Sequence, residues 1–270
     1  MVSRERSFLT SMATLNRKVA IVTGSSRGIG RAIALRLGRD GARIVLSARH
    51  QEALDTAVRE ITRSGGEATS LALDLRIPDA PRRLAEFALQ TFGQIDIVVN
   101  NAGATKRGEF EDLTEEDWAD GYALKFFGAV RLTRASWPHL KATSGSLINI
   151  SGIGGRTPEA QFTIGGSVNA ALISFTKAMA AAGIVDGVQV NVINPGTIRT
   201  DRYQKRLVAF AAEHGMDTAA AEREFVREHQ TTRIGEPEDI AALVAFVACP
   251  EGRFLHGAML DMDGGATKTL

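Results

Sequence analysis

With 270 residues, 44% of them hydrophobic and 23% charged, the chain can bury a substantial core and has the balance of an ordinary globular protein. Its 32 basic and 31 acidic residues are interspersed and leave a net charge of +1, which argues against a nucleic-acid or anionic-membrane partner and for a small molecule. The single cysteine, Cys249, excludes a disulfide framework and a thiolate metal cluster, and it reads as a small buried hydrophobe in a reducing compartment.

Residues 1–16 carry charges but no apolar run of signal-peptide length, so they read as an N-terminal tail, with Met12 as a second start. Residues 17–270 contain no linker, repeat or low-complexity run and read as one domain. No later stretch reads as long and apolar enough to cross a bilayer, so a cytoplasmic protein without membrane contact is expected.

The first predicted strand is VAIVT, residues 19–23, which lacks the polar alternation of a half-exposed strand and suits burial on both faces. It runs into TGSSRGIG, residues 23–30, and then into the amphipathic RAIALRLGRDG. Gly24 permits a sharp turn, and Gly28 lets the backbone approach a pyrophosphate. Gly30 allows close packing of helix on strand, with the helix N-terminus facing the negative charge. RIVLSA (43–48), IDIVVN (95–100), SLINIS (146–151) and VQVNVIN (188–194) repeat the buried-strand pattern. Between the earlier ones lie EALDTAVREITRSGG and PRRLAEFALQTFG, helical patterns ending in the glycine expected at a helix C-terminus. The alternation predicts an α/β, doubly wound parallel sheet of Rossmann type, with its ligand beyond the C-terminal ends of the strands.

An NAD-selective site offers a carboxylate to the adenosine ribose near the end of the second strand. Here Ala48 and Arg49 stand there, and Arg27 lies inside the glycine loop. Two guanidinium groups without a carboxylate favour a ribose phosphate, hence NADP over NAD.

Taken together, these motifs resemble those of the classical short-chain dehydrogenase/reductase family over residues 17–265. TGSSRGIG is similar to the family's glycine motif, LDL (73–75) to its adenine contact, and NNAG (100–103) to the turn under the nicotinamide ribose. NPGTIRT (194–200) is similar to the segment that receives the carboxamide, and LDMDGG (260–265) to the C-terminal signature. The resemblance implies cofactor contacts at Gly24, Ser26, Arg27, Gly28, Ile29, Gly30, Arg49, Asp74 and Leu75. It implies further contacts at Asn101, Ala102, Gly103, Pro195, Gly196, Ile198 and Thr200. It also implies a homotetramer or homodimer, formed through the long helices that carry Lys125 and Asn169.

The same resemblance fails where the family does its chemistry. There a tyrosine protonates the substrate carbonyl as hydride arrives, and a lysine one turn later lowers the tyrosine pKa and holds the ribose. A serine orients the carbonyl and an asparagine completes a proton relay. The matching positions hold Gly165, Asn169, Gly152 and Lys125. The only tyrosines, Tyr122 and Tyr203, are not followed four residues later by lysine; Tyr122 reads as a packed aromatic and Tyr203 as part of a substrate-covering segment. Loss of the general acid costs on the order of a hundred- to ten-thousandfold in rate.

The remaining candidates for chemistry are Lys125, Asn169 and Ser151, the last pointing to the face opposite Gly152 on a regular strand. Lys125 and Asn169 read as an exchange of the family's residue types, with Lys125 on a helical stripe of Trp118, Tyr122, Ala129 and Leu132. Thr163 and Ser167 read as loop and cap residues. Arg156, Arg202, Lys205 and Arg206 are of a type to meet an anionic ligand, but also to line solvated surfaces. No metal-ligand spacing stands out. The leading reading is an NADP-binding oxidoreductase with an altered active site, acting on a small carbonyl or alcohol. The alternatives are a noncatalytic dinucleotide-binding sensor or partner subunit, and a lyase using the Lys125 amine as nucleophile.

Overall fold

The computed structural model describes residues 15–268. Seven parallel strands form one sheet in the order β3-β2-β1-β4-β5-β6-β7. They are β1 Val19–Thr23, β2 Arg43–Ala48, β3 Glu67–Ala72, β4 Ile97–Asn100, β5 Ser146–Ile150, β6 Gln189–Pro195 and β7 Met259–Met262. Because side chains alternate across a strand, β1 sends Ala20 and Val22 into one core layer and Val19 and Ile21 into the other.

The first layer is closed by α1 Gly28–Arg39, α2 Gln51–Arg63 and α9 Pro237–Ala248, through Ile33, Leu37, Leu54, Ile61, Ile240 and Val244. The second is closed by α3 Ala80–Phe92, α5 Gly128–Thr143 and α6 Thr163–Asp186, through residues such as Leu84, Leu132, Leu140 and Ala180. A short helix, α4 Glu115–Gly121, starts at a Thr114–Asp117 capping box and enters α5 through a π-helix at Tyr122–Phe127. Outside the sheet, α7 Asp201–Glu213 and α8 Thr218–Glu228 pack on each other around Tyr203, Leu207 and Phe225.

Two strands escape the sequence reading. Glu67–Ala72 lies at the sheet edge, is nowhere fully buried and is poorer in β-branched residues than the strands read from the sequence. Met259–Met262 is short and equally half-buried. The tail boundary also moves. Leu15 is buried and its backbone N–H donates to the Asp40 carbonyl at 3.2 Å, so the packed chain includes the last residues assigned to the tail. Met12 lies outside the described residues.

The expectation that no segment is apolar enough to span a bilayer is corrected at Ala160–Asp186, which passes by length and composition with a mean hydropathy of 1.5. Its Ile164, Val168, Leu172 and Ala180 are buried, and α6 packs along β5 and β6 as a core helix does. Buried amides tie these layers together. Asn100 Nδ2 donates to Asn149 Oδ1 at 2.9 Å, and Asn149 Nδ2 to Thr176 Oγ1 on α6 at 2.8 Å.

Candidate active site

The loop after β1 is clamped by the turn after β4. Thr23 Oγ1 accepts from the backbone N–H groups of Asn101 and Ala102 at 2.9 and 3.0 Å, while Asn101 Nδ2 donates to the Thr23 and Gly24 carbonyls at 2.9 and 3.3 Å. Gly24 takes a φ of +65°, and a Cβ on Gly30 would lie 2.4 Å from both Asn101 Nδ2 and the Gly24 carbonyl oxygen. Gly30 is therefore required by the closeness of loop, helix and β4 turn. The α1 N-terminus has no side-chain cap and no acidic residue in its first turn, so its amides suit an incoming anion.

The segment after β6 closes this corner. Pro195 ends the strand, Gly196 donates to the Met262 carbonyl at 3.1 Å, and Ile198 bridges to Gly235. Thr200 Cγ2 lies 3.3 Å from where a Gly28 Cβ would be. Ser26 and Ile29 are half-buried on the loop. Residues 24–30, 101–103 and 195–200 thus gather at the C-terminal ends of β1, β4 and β6, where the sequence placed them.

The adenosine end differs from expectation in one respect. Arg49 is exposed just past β2, but Arg27 is turned to Asp201 on α7, with Nη1 to Oδ2 at 2.9 Å. That ion pair is largely solvent-exposed, so it is weak and open to competition from a phosphate. Asp74 accepts from the Arg76 backbone at 3.0 Å and pairs with its guanidinium at 2.9 Å, and Leu75 is buried beneath.

The positions that the family resemblance assigns to the tyrosine and the serine, Gly165 and Gly152, are not empty space. A Cβ on Gly165 would come within 2.0 Å of the Phe162 ring, so Phe162, three residues earlier, fills the place of a side chain at 165. The Arg107 guanidinium lies 4.1 Å from the centre of that ring, a cation–π contact. A Cβ on Gly152 would lie 2.9 Å from Asn169 Nδ2, so the Asn169 amide occupies the serine's neighbourhood. Asn169 is buried, and its Oδ1 has no hydrogen-bond partner. Glycines at 152 and 165 therefore accompany larger neighbours, Asn169 and Phe162.

Lys125 enters from the opposite wall. The wider turn of the π-helix carries it, and its stem lies so close to Gly103 that a Cβ there would sit 2.8 Å from Lys125 Cδ. Its Nζ donates to the Ser151 carbonyl at 2.8 Å. Burial, helped by the nearby Arg202 charge, lowers the Lys125 pKa to about 7, so the amine exchanges its proton near neutrality. The stripe expected for this side chain is observed, with Trp118 and Tyr122 half-buried and Ala129 and Leu132 buried.

Other sequence candidates take different roles. The Ser151 hydroxyl is buried and donates to the Asn169 carbonyl at 3.0 Å, so Ser151 supports the site through its backbone oxygen rather than through hydroxyl chemistry. Tyr203 is a correction: it sits in the α7–α8 core, its OH donates to Glu222 Oε2 at 3.0 Å, and burial followed by Glu222 pushes its pKa up to about 12. A phenol so placed is a poor acid. Arg156 is paired with Asp261. Ser167 donates to the Ile164 carbonyl at 3.0 Å, and Thr163 opens α6. Among the described residues no group of three or more His, Cys, Asp or Glu side chains could hold a metal.

Phe162 and Arg107 are the functional-site residues that sequence reasoning missed. The Phe162 signal was present, an aromatic three residues before the glycine that stands where the resemblance expects a tyrosine. Arg107 had none, because a loop arginine carries no periodicity.

Comparison with known proteins agrees with this geometry. A family model described as enoyl-(acyl carrier protein) reductase matches residues 24–267. An uncharacterized oxidoreductase of Mycobacterium tuberculosis, MT0954, is 36% identical over 261 residues, covering 96% of this chain and 95% of the relative. Elsinochrome reductase 1 of Elsinoe fawcettii is 32% identical, covering 95% and 97% of the two chains. The crystal structure of L-sorbose reductase from Gluconobacter frateurii, complexed with NADPH and L-sorbose, superposes with a TM-score of 0.91 at 32% identity, covering 97% of this chain and 100% of that one. By fold, motif order and relatedness, the chain belongs to the short-chain dehydrogenase/reductase family.

Proposed function

We propose that this protein is an NADP-dependent oxidoreductase with an altered active site, acting on a small carbonyl or alcohol. The observation that carries the reading is the intact phosphate-binding corner, the uncapped α1 N-terminus behind a glycine loop clamped by Asn101. NADPH in the related L-sorbose reductase supports the same cofactor here. Residues 24–30 would receive its pyrophosphate, and Arg49, with Arg27 released from Asp201, its ribose phosphate. Asp74 and Leu75 would face the adenine, and residues 101–103 and 195–200 the nicotinamide half. When bound, the cofactor supplies or accepts a hydride.

In place of the absent phenol, Lys125 Nζ gives or takes a proton near neutral pH, held in position by the Ser151 carbonyl. Asn169 Oδ1, buried and unpartnered, is free to accept from a hydroxyl or amide brought into the site. Phe162 excludes water from the face that the family's tyrosine lines. A homodimer or homotetramer in the cytoplasm is part of the proposal, supported by the exposed apolar Phe127, Ile184 and Val185 around α5 and α6 and by the lone cysteine.

Fluorescence titration with NADPH and NADH, followed by single-turnover reduction of a carbonyl panel, tests the reading. Tight NADPH binding with slow, measurable hydride transfer is expected, and failure to bind NADPH refutes it. The filling of the tyrosine position by Phe162 favours a second reading, a noncatalytic NADP sensor or partner subunit. Tight NADPH binding without hydride transfer to any carbonyl would select that reading.

A further inference from the structure

We propose that Arg107, Arg202 and Arg206 form an oxyanion subsite beside Lys125, so that the substrate of this site carries a carboxylate or phosphate group. The inference rests on the oxidoreductase reading for the word substrate, but the subsite itself stands on separate observations.

The three guanidinium groups come from two separate parts of the chain, the loop after β4 and helix α7. Arg202, in the first turn of α7, donates Nη2 to the Gly103 carbonyl at 3.1 Å, next to the Lys125 stem. Arg206 follows one helical turn later on the same face and lies 5.3 Å from the centre of the Phe225 ring. Arg107 reaches in from the loop after β4 and stacks on Phe162, the ring that fills the vacated tyrosine position.

Their charges act on one another. Burial, then Arg27 and Arg107, pushes the Arg202 pKa down; burial, then Arg107, does the same to Arg206, with Glu159 opposing and Arg202 adding to the fall. Glu159 accounts for one of these charges, pairing with Arg107 at 2.8 Å, and Asp201 is taken by Arg27. Arg202 and Arg206 have no carboxylate at salt-bridge distance among the described residues. Arg202 is exposed and Arg206 half-buried, so a dissolved anion can reach them. Like charges partly withdrawn from water repel, and an anion placed between them relieves the repulsion. The planar forks of Arg202 and Arg206, neither of them held by a carboxylate at salt-bridge distance, match the paired oxygens of a carboxylate or phosphate.

The test uses full-length protein saturated with NADP, so that the cofactor's own phosphates occupy the α1 N-terminus. Malonate and methyl phosphate are titrated by calorimetry at an ionic strength held constant with chloride. Saturable binding of at least one is expected, at least tenfold weaker in Arg202→Gln and in Arg206→Gln and partly retained in Arg206→Lys. Preference for malonate would assign a carboxylate, and preference for methyl phosphate a phosphate ester. No saturable binding of either anion, unchanged affinity in both Gln variants, or loss of anion binding when NADP is present would overturn the subsite. If NADP itself does not bind, the cofactor reading fails, and the same titrations on the free protein still decide the subsite.

Discussion

Replacing Lys125 with methionine removes a desolvated amine while keeping the length of its stem, and its effect on stability has a definite sign. The ordinary lysine pKa near 10.5 falls to about 7 in the folded protein, chiefly through burial. Between those values the unfolded chain binds more protons than the native one, so the native state gains stability as pH rises from 7 towards 10. Each tenfold step in that gap corresponds to about 1.4 kcal/mol, which places an upper bound near ~3.5 kcal/mol on the gain between pH 7 and 10. Solvent access to the half-buried side chain reduces this to about 2 kcal/mol. The hydrogen bond from Nζ to the Ser151 carbonyl, 2.8 Å, is lost in the variant and costs about 1 kcal/mol at every pH. Urea denaturation of both proteins at pH 7, 8.5 and 10 should therefore show wild type gaining on Lys125→Met by about 2 kcal/mol across the range. Other titrating groups, Tyr203 and Cys249 among them, are common to both proteins and cancel in the difference. A difference that stays constant from pH 7 to 10 would show that the amine keeps an ordinary pKa, and the proton-exchange role would fall with it.

Gly165→Ala should destabilise the protein by about 3 kcal/mol or more on thermal unfolding, since its Cβ would meet the Phe162 ring. Adding Phe162→Ala should return part of that loss, and simple additivity of the two changes would mean that the ring does not fill the position. Tyr203→Phe should cost about 1 kcal/mol in stability, the bond to Glu222, and leave carbonyl turnover unchanged; a tenfold fall in rate would make Tyr203 the missing acid. Arg49→Ala should lower the preference for NADPH over NADH by about tenfold in fluorescence titrations, and more than Arg27→Ala does, because Arg27 is already paired with Asp201. Lys125→Ala should weaken NADPH binding several-fold, and Lys125→Asn combined with Asn169→Lys should recover part of it; no recovery would refute the exchange of roles between the two positions.

The amino-acid sequence by itself determined the α/β class, five of the seven strands and the glycine loop at the end of the first. Short runs rich in β-branched residues at 19–23, 43–48 and 146–151 admit burial on both faces, and glycines at 24, 28 and 30 between a strand and a helix leave little choice of local path. The identities of Gly165 and Asn169, at the positions that the resemblance assigns to the family's tyrosine and lysine, were also legible. What packs around them was not. Phe162 filling the glycine's space, Asn169 against Gly152, and Lys125 bonded to the Ser151 carbonyl each depend on side chains from different elements meeting at one point. Tyr203 shows the same limit from the other side. Its sequence neighbours suggested a substrate cover, yet α7 turns it inward onto Phe225 and Glu222. The edge strand Glu67–Ala72 was missed because its hydrogen bonds to β2, rather than its own half-polar residues, make it a strand. Local pattern reports what one element buries; proton affinity and pocket shape come from the dielectric and the charges that several elements bring together, and these exist only after packing.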